Sequence, residues 1–181
     1  MENALISKIR KQPTLKPQDI VVTIKLSLHR HENFTFSQLA EDLFLSTSEV
    51  HGSYRRAVFS NLINLEQERP TANRTSLREF IIHGLKYAFP AAVGTITRGT
   101  LTGLSAAPFR NQFTLTEHIP SVWPDAKGTV QGISLLPLYP SIPSATKLDP
   151  KLYQTLVLID ILRTGAARER ELAEIELRRQ F

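Results

Sequence analysis

The stretch Thr35-Phe36-Ser37-Gln38-Leu39-Ala40-Glu41-Asp42-Leu43-Phe44-Leu45-Ser46-Thr47-Ser48-Glu49-Val50-His51-Gly52-Ser53-Tyr54-Arg55 decides the reading of this chain. It contains two capping boxes, Thr35 with Gln38 and Ser46 with Glu49. In each, a hydroxyl residue stands three positions ahead of a side chain that reaches back to it. The boxes predict helices over Phe36 to Leu43 and over about 47 to 60. Apolar Leu39, Leu43, Leu45 and Val50 form the seam between them, with the small Ala40 at the contact. Only a few residues separate the two helices, so the second stands at a steep angle to the first, as in a helix-turn-helix. That geometry lets the front turns of the second helix enter a DNA major groove.

The candidate DNA contacts are then Ser37, Ser46, Thr47, Ser48, His51, Gly52 and Arg55, most of them small or polar. Gly52 has no side chain to meet the groove wall. Arg55 reaches a guanine edge with two hydrogen bonds, and Arg56 reaches a phosphate. The neutral His51 imidazole can accept from or donate to a base edge. Phe44 stands where such turns usually carry glycine. Its backbone must avoid a left-handed turn or carry strain, which predicts a longer turn, with Phe44 filling a core gap.

Working outward, Pro17 and Asp19 suit a first helical turn, and Ile20, Ile24 and Leu28 recur at four-residue spacing. Residues 17–30 therefore read as an amphipathic helix completing a three-helix core. After the pair, Leu62-Ile63-Asn64-Leu65 reads as a short strand, and Leu62 to Asn73 has the length of a small wing. Arg69 and Arg74 flank its tip, where a wing meets backbone phosphates. A third box, Ser76 with Glu79, starts a helix that Pro90 stops. His83, within it, is expected to be half-buried.

These features resemble the winged helix-turn-helix regulators of bacteria, broadly the MarR-like group. The likeness is carried by Leu39-Ala40-Glu41-Asp42-Leu43 and Ser46-Thr47-Ser48-Glu49-Val50-His51 and spans about residues 15–75. It implies a DNA-binding front half. The phrases His83-Gly84-Leu85-Lys86-Tyr87-Ala88-Phe89-Pro90 and Val122-Trp123-Pro124-Asp125 resemble the tail of an uncharacterised bacterial family, which implies no activity.

Charge is distributed unevenly along the chain. Between Arg55 and Arg110 eight cations stand against three acids, which equals the whole net charge of +5. No carboxylate occurs from Phe80 to Thr116. Charge of one sign gathered in this way favours a polyanionic partner. The absence of cysteine excludes disulfides, thiolate metal sites and a cysteine nucleophile. No run approaches the roughly 20 apolar residues of a membrane helix. The start, Met1-Glu2-Asn3, leads into no signal-type stretch, so a cytoplasmic protein is expected.

Residues 90–150 hold eight of the eleven prolines and five of the eight glycines, and read as loops and short strands. Thr129 to Leu136 is the strand expected there. Gly94 to Gly103 reads as a loop, with Thr97, Arg98, Gly99 and Thr100 as a possible effector or anion site. It lacks the ending of a phosphate loop. Ser144-Ala145-Thr146-Lys147 matches Ser-x-x-Lys without its companion motifs. Asp149-Pro150 opens a helix apolar on nearly all sides, hence buried. Within it Asp160 needs a cation such as Arg163. Gly165 stops that helix, and Ala166 to Arg179 is a last helix with a thin stripe of Leu172 and Ile175.

His29 and His31 lie on different helix faces, so no metal site is expected. No catalytic set stands out either, and the chain reads as a non-enzyme without cofactor. The expected fold is mainly α with a small β component. A winged helix-turn-helix occupies 1–90, and 91–181 forms an oligomerisation or partner-binding region built from a Pro/Gly-rich segment and two helices. The expected function is a dimeric repressor, a homodimer reading an inverted repeat in double-stranded DNA. The alternative is an antitoxin whose C-terminal half neutralises a toxin-like partner protein.

Overall fold

The computed structural model describes residues 13–65, 70–107, 109–111 and 119–181. The fold is mixed α/β, mostly helical, with two small sheets. Helix α1 (Pro17–Leu28) starts with Pro17 in its first turn, and Asp19 Oδ2 accepts the Lys16 N–H at 2.8 Å. The expected amphipathic stripe is absent: every residue from Asp19 to Ser27 is buried. The physical reason is position. Helix α1 is a central rod, covered on one side by the elements that follow it and on another by the last third of the chain.

Helices α2 (Phe36–Leu43) and α3 (Thr47–Phe59) start at the two expected boxes. Thr35 Oγ1 accepts the Gln38 N–H at 3.2 Å, and Gln38 Oε1 accepts the Thr35 N–H at 2.8 Å. Leu39, Ala40, Leu43 and Val50 are buried between the helices, as the seam requires. The turn is short, contrary to expectation. Phe44 adopts φ 54°, ψ 46°, and the Leu45 N–H closes back on the Ala40 carbonyl at 2.9 Å. This left-handed helix ending usually carries glycine. Nor does Phe44 fill a core gap, for its side chain is 53% exposed. Because little burial offsets the strain, Phe44→Gly is expected to stabilise the fold by about 1 kcal/mol. Denaturant midpoints of the two proteins check this. Helix α3 ends in the same way at Asn61 (φ 56°), a residue that tolerates the conformation.

Strands β1 (Ile63–Asn64) and β2 (Thr71–Ala72) form a two-stranded antiparallel ribbon. Its tip and Arg69 lie outside the described residues. Helix α4 (Arg74–Glu79) does not start at the Ser76 box. Asn73 Oδ1 accepts the Ser76 N–H at 3.2 Å, so the earlier of two competing caps prevails. The helix widens to a π-turn at Phe80–Gly84 and resumes as α5 (Leu85–Ala88). His83 is exposed there, not half-buried.

The segment Gly94 to Gly103 is mostly strand β3 (Val93–Leu101), not a loop. It pairs antiparallel with β4 (Ser121–Pro124) and β5 (Val130–Leu135), which pair parallel with each other, closing a three-stranded sheet. The glycines permit this closure. A Cβ on Gly99 would lie 2.0 Å from the Trp123 carbonyl oxygen. The backbones cross where the sequence suggested a flexible loop.

Helix α6 (Ile142–Leu148) leads to α7 (Pro150–Thr164), whose N-cap Asp149 accepts the Leu152 N–H at 3.0 Å. Helix α7 is buried on nearly all sides as expected, and Asp160 meets Arg163 at 2.8 Å. Helix α8 (Ala167–Gln180) packs on it through Ala173 and Leu177. Of the stripe, Ile175 faces outward, 41% exposed, and Leu172 is half-buried. One buried cluster runs through the described residues, from Ile20 and Val50 to Trp123, Leu156 and Leu177. The expected boundary at 90/91 corresponds to no break in it.

Candidate nucleic-acid interface

Helix α3 presents Thr47, Ser48, His51 and Arg55 to solvent on one face, and the later half of the chain does not cover them. Phe36, from the first turn of α2, supports this face from the side. Its ring meets His51 edge-on at 5.4 Å and lies against Tyr54 at 5.4 Å. Ser37 is exposed beside it.

The remaining expected contacts are placed differently. Ser46 is engaged in its cap: Oγ accepts the Glu49 N–H at 3.2 Å and donates to Glu49 Oε2 at 2.8 Å. Arg56 points inward, away from any phosphate. Its Nε and Nη2 donate to the two carboxylate oxygens of the fully buried Asp19, at 2.8 and 2.7 Å. Gly52 serves that pair rather than a groove wall. The space where its Cβ would stand lies 3.1 Å from Arg56 Nη1.

Arg74 lies at the base of the ribbon, not at its tip, with Nη2 donating to the Gln180 carbonyl at 2.7 Å. Arg78 Nη1 donates to the Phe181 carbonyl at 3.4 Å. Three cations of the positive stretch, Arg56, Arg74 and Arg78, are thus engaged by the chain itself, and of the two arginines on α3 Arg55 is the exposed one. The expected anion site fails for a related reason. Thr97, Arg98, Gly99 and Thr100 lie in β3, where backbone N–H groups pair with neighbouring strands instead of facing an anion.

The later half of the chain holds the turn from behind. Ser141 Oγ donates to the Leu43 carbonyl at 2.6 Å, and Tyr139 Oη donates to Glu49 Oε1 at 2.6 Å. The Tyr139 bond, with the Ser46 backbone and hydroxyl, holds the Glu49 carboxyl down to about 2. A carboxyl lowered in the fold contributes stability above its ordinary value, and this is lost as pH falls toward the folded value. Tyr139→Phe is therefore expected to lower stability at neutral pH, with the gap closing between about 4.5 and about 2. Denaturation midpoints measured across that range check this. A gap that does not change with pH would show that Tyr139 does not hold this charge.

A second tie joins the halves beneath α1. Lys25 Nζ lies 2.9 Å from Asp149 Oδ2 and 3.0 Å from Asp42 Oδ2. Burial pulls the Lys25 pKa down, but the two carboxylates outweigh it and the net direction is up. His29 Nε2 approaches the same Asp149 oxygen at 2.7 Å, and its Nδ1 lies 2.8 Å from Glu32 Oε1. Neither this network nor the Asp19–Arg56 pair has a local signal in the sequence, because the partners are far apart along the chain. Among the described residues, no helix is long and apolar enough to cross a membrane. No family model, curated protein or solved structure matches the chain.

Proposed function

We propose that the chain is a sequence-specific DNA-binding regulator. In this reading Pro17 to Ala72 is a winged helix-turn-helix, with α3 the recognition helix and the β1–β2 ribbon the wing. The observation that carries it is the bare face of α3: Thr47, Ser48, His51 and Arg55 stand free at the front of a rod fixed from behind. The order of three helices and a ribbon supports it, as does the short turn, which sets the rod at an angle to α2.

A homodimer would place two such rods on an inverted repeat, with half-sites about 10 bp apart or a multiple of that. The outward face of α8, with Leu172 and Ile175, is the proposed seam. Helix α7, also expected there, is enclosed by its own chain. Selection of bound fragments from random DNA tests both points. An enriched, twofold-symmetric motif is expected. Scrambled duplexes bound equally tightly at every salt concentration would remove the sequence-specific reading, and a motif without symmetry would remove the dimer. Arg55→Ala is expected to lose about 1–3 kcal/mol of discrimination at one base pair, with stability unchanged. Competition binding against substituted sites measures it.

An interaction protein of antitoxin type is the second reading. It is favoured by exposed Val93, Ile96 and Leu136 around one end of the closed sheet. Stoichiometric co-purification of a second protein under native expression is its test.

A further inference from the structure

Two hydroxyls among the described residues are shut off from solvent and have no hydrogen-bond partner, Ser27 Oγ and Thr71 Oγ1. Such groups are costly to leave unpaired. Ser27 does not take the carbonyl one turn back in its helix, as Thr23 does with Asp19 at 2.7 Å. Both orphans line one groove, between the end of α1 with its following connection and the β2 strand with the start of α4. The groove encloses about 570 Å³, within the size range of small-molecule sites.

The groove is also cationic. Arg30 and Arg74 line it. Burial first, then the charges of Arg30 and Arg78, pull the Arg74 pKa down. Among the described residues, the ion pairs involve neither Arg30 nor Arg74. Glu32 lines the groove too, with its Oε1 turned to His29 Nδ1 at 2.8 Å. Two unused hydroxyl donors beside unneutralised guanidinium groups complement a group with several acceptor oxygens and negative charge.

We propose that this groove is a binding site for a small oxyanion, a phosphate monoester or a carboxylate. Arg74 and Arg30 supply the charge, and Ser27 and Thr71, whose hydroxyls lie just beneath the groove wall, donate once their side chains rotate toward the occupant. A free anion fits better than DNA. Ser27 is 1% exposed, and a backbone phosphate carries a sugar on both sides, whereas a monoester carries its burden on one. None of the exposed residues of α3 lines the site. Because Thr71 belongs to the ribbon, an occupant would tie the ribbon to α1. Any effect of that on DNA affinity rests on the DNA-binding reading, but the site itself does not.

The test is melting of the full chain in inorganic phosphate or acetate against chloride at matched ionic strength. A saturable rise in Tm with phosphate or with acetate is expected, and which of them acts separates the two chemistries. Ser27→Ala and Thr71→Val should melt no lower than the parent without ligand, since each removes an orphan. Their apparent affinity should fall about tenfold. Arg74→Gln should abolish the response. No saturable rise with either anion, or an unchanged response in Ser27→Ala and Thr71→Val, overturns the proposal. A short duplex at fixed salt is the second arm, and Ser27→Ala should bind it like the parent. Equal losses for duplex and phosphate would assign the groove to a backbone phosphate and overturn the small-anion site. A chain that takes phosphate but no duplex keeps this site and removes the DNA-binding reading.

Discussion

Arg56→Ala is expected to destabilise the fold by about 3–5 kcal/mol, the cost of breaking a buried ion pair from one side. Asp19 is 0% exposed, and the guanidinium meets both of its oxygens in a fork. Removing that fork leaves a carboxylate enclosed by helix and core with only the Lys16 N–H and the solvent reached through the new gap. Desolvation, not the lost attraction, dominates the loss. Arg56→Lys should recover part of it, since the charge returns without the two-pronged geometry. In a double-mutant cycle with Asp19→Ala, the combined loss should be smaller than the sum of the single losses. Chemical denaturation measures each corner. The exposed neighbour Arg55 should behave in the opposite way, its alanine variant leaving the midpoint in place. If Arg56→Ala melts like the parent, the inward placement of this arginine is wrong.

Asp160→Ala should be as severe, again about 3–5 kcal/mol. Its Oδ2 accepts from Thr102 Oγ1 at 2.7 Å and from Trp123 Nε1 at 2.6 Å, and its Oδ1 lies 2.8 Å from Arg163 Nη1. Burial pushes this carboxyl up, against the pull of Arg163, Thr102 and Trp123. The alanine variant leaves three donors behind, one of them a guanidinium whose side chain is only 3% exposed. Arg163 also holds the carbonyls of Phe89 and Pro90, at 3.0 and 3.2 Å, so the joint between α5 and the sheet depends on the same cluster. Trp123 is the single tryptophan, and its fluorescence reports on the site directly. A red-shifted emission together with a lowered midpoint is expected. An unchanged spectrum would show that the indole does not depend on Asp160.

What could be read from the chain is what is local in it. The Thr35, Ser46 and Asp149 caps act within one turn, and all three are in place. Ser76 fails only because Asn73 offers the same service three residues earlier. The exposed face of α3 follows from its boxes, whereas the fate of Arg56 depends on Asp19, 37 positions away. Gly94 to Gly103 looked like a loop because glycine signals both freedom and crowding, and only the partner strand distinguishes them. On α8 the apolar pair Leu172 and Ile175 misleads, whereas Leu177 is fully buried. Small Ala173 faces the tight contact with α7, while Ile175 is left outside. The orphaned hydroxyls of Ser27 and Thr71 have no signature in composition or spacing, since being unpaired is a property of the neighbours.

The bond between Lys25 and Asp149 spans 124 positions, and that between Arg74 and Gln180 spans 106. When the first third of this chain has left the ribosome, Lys25 therefore still lacks one of its two carboxylate partners. Among the described residues, Asp42 is the ion-pair partner that Lys25 has until residue 149 emerges. The nascent front segment must wait, half-assembled, for material made much later. Messages cut short upstream of that point should yield products that are cleared by proteolysis.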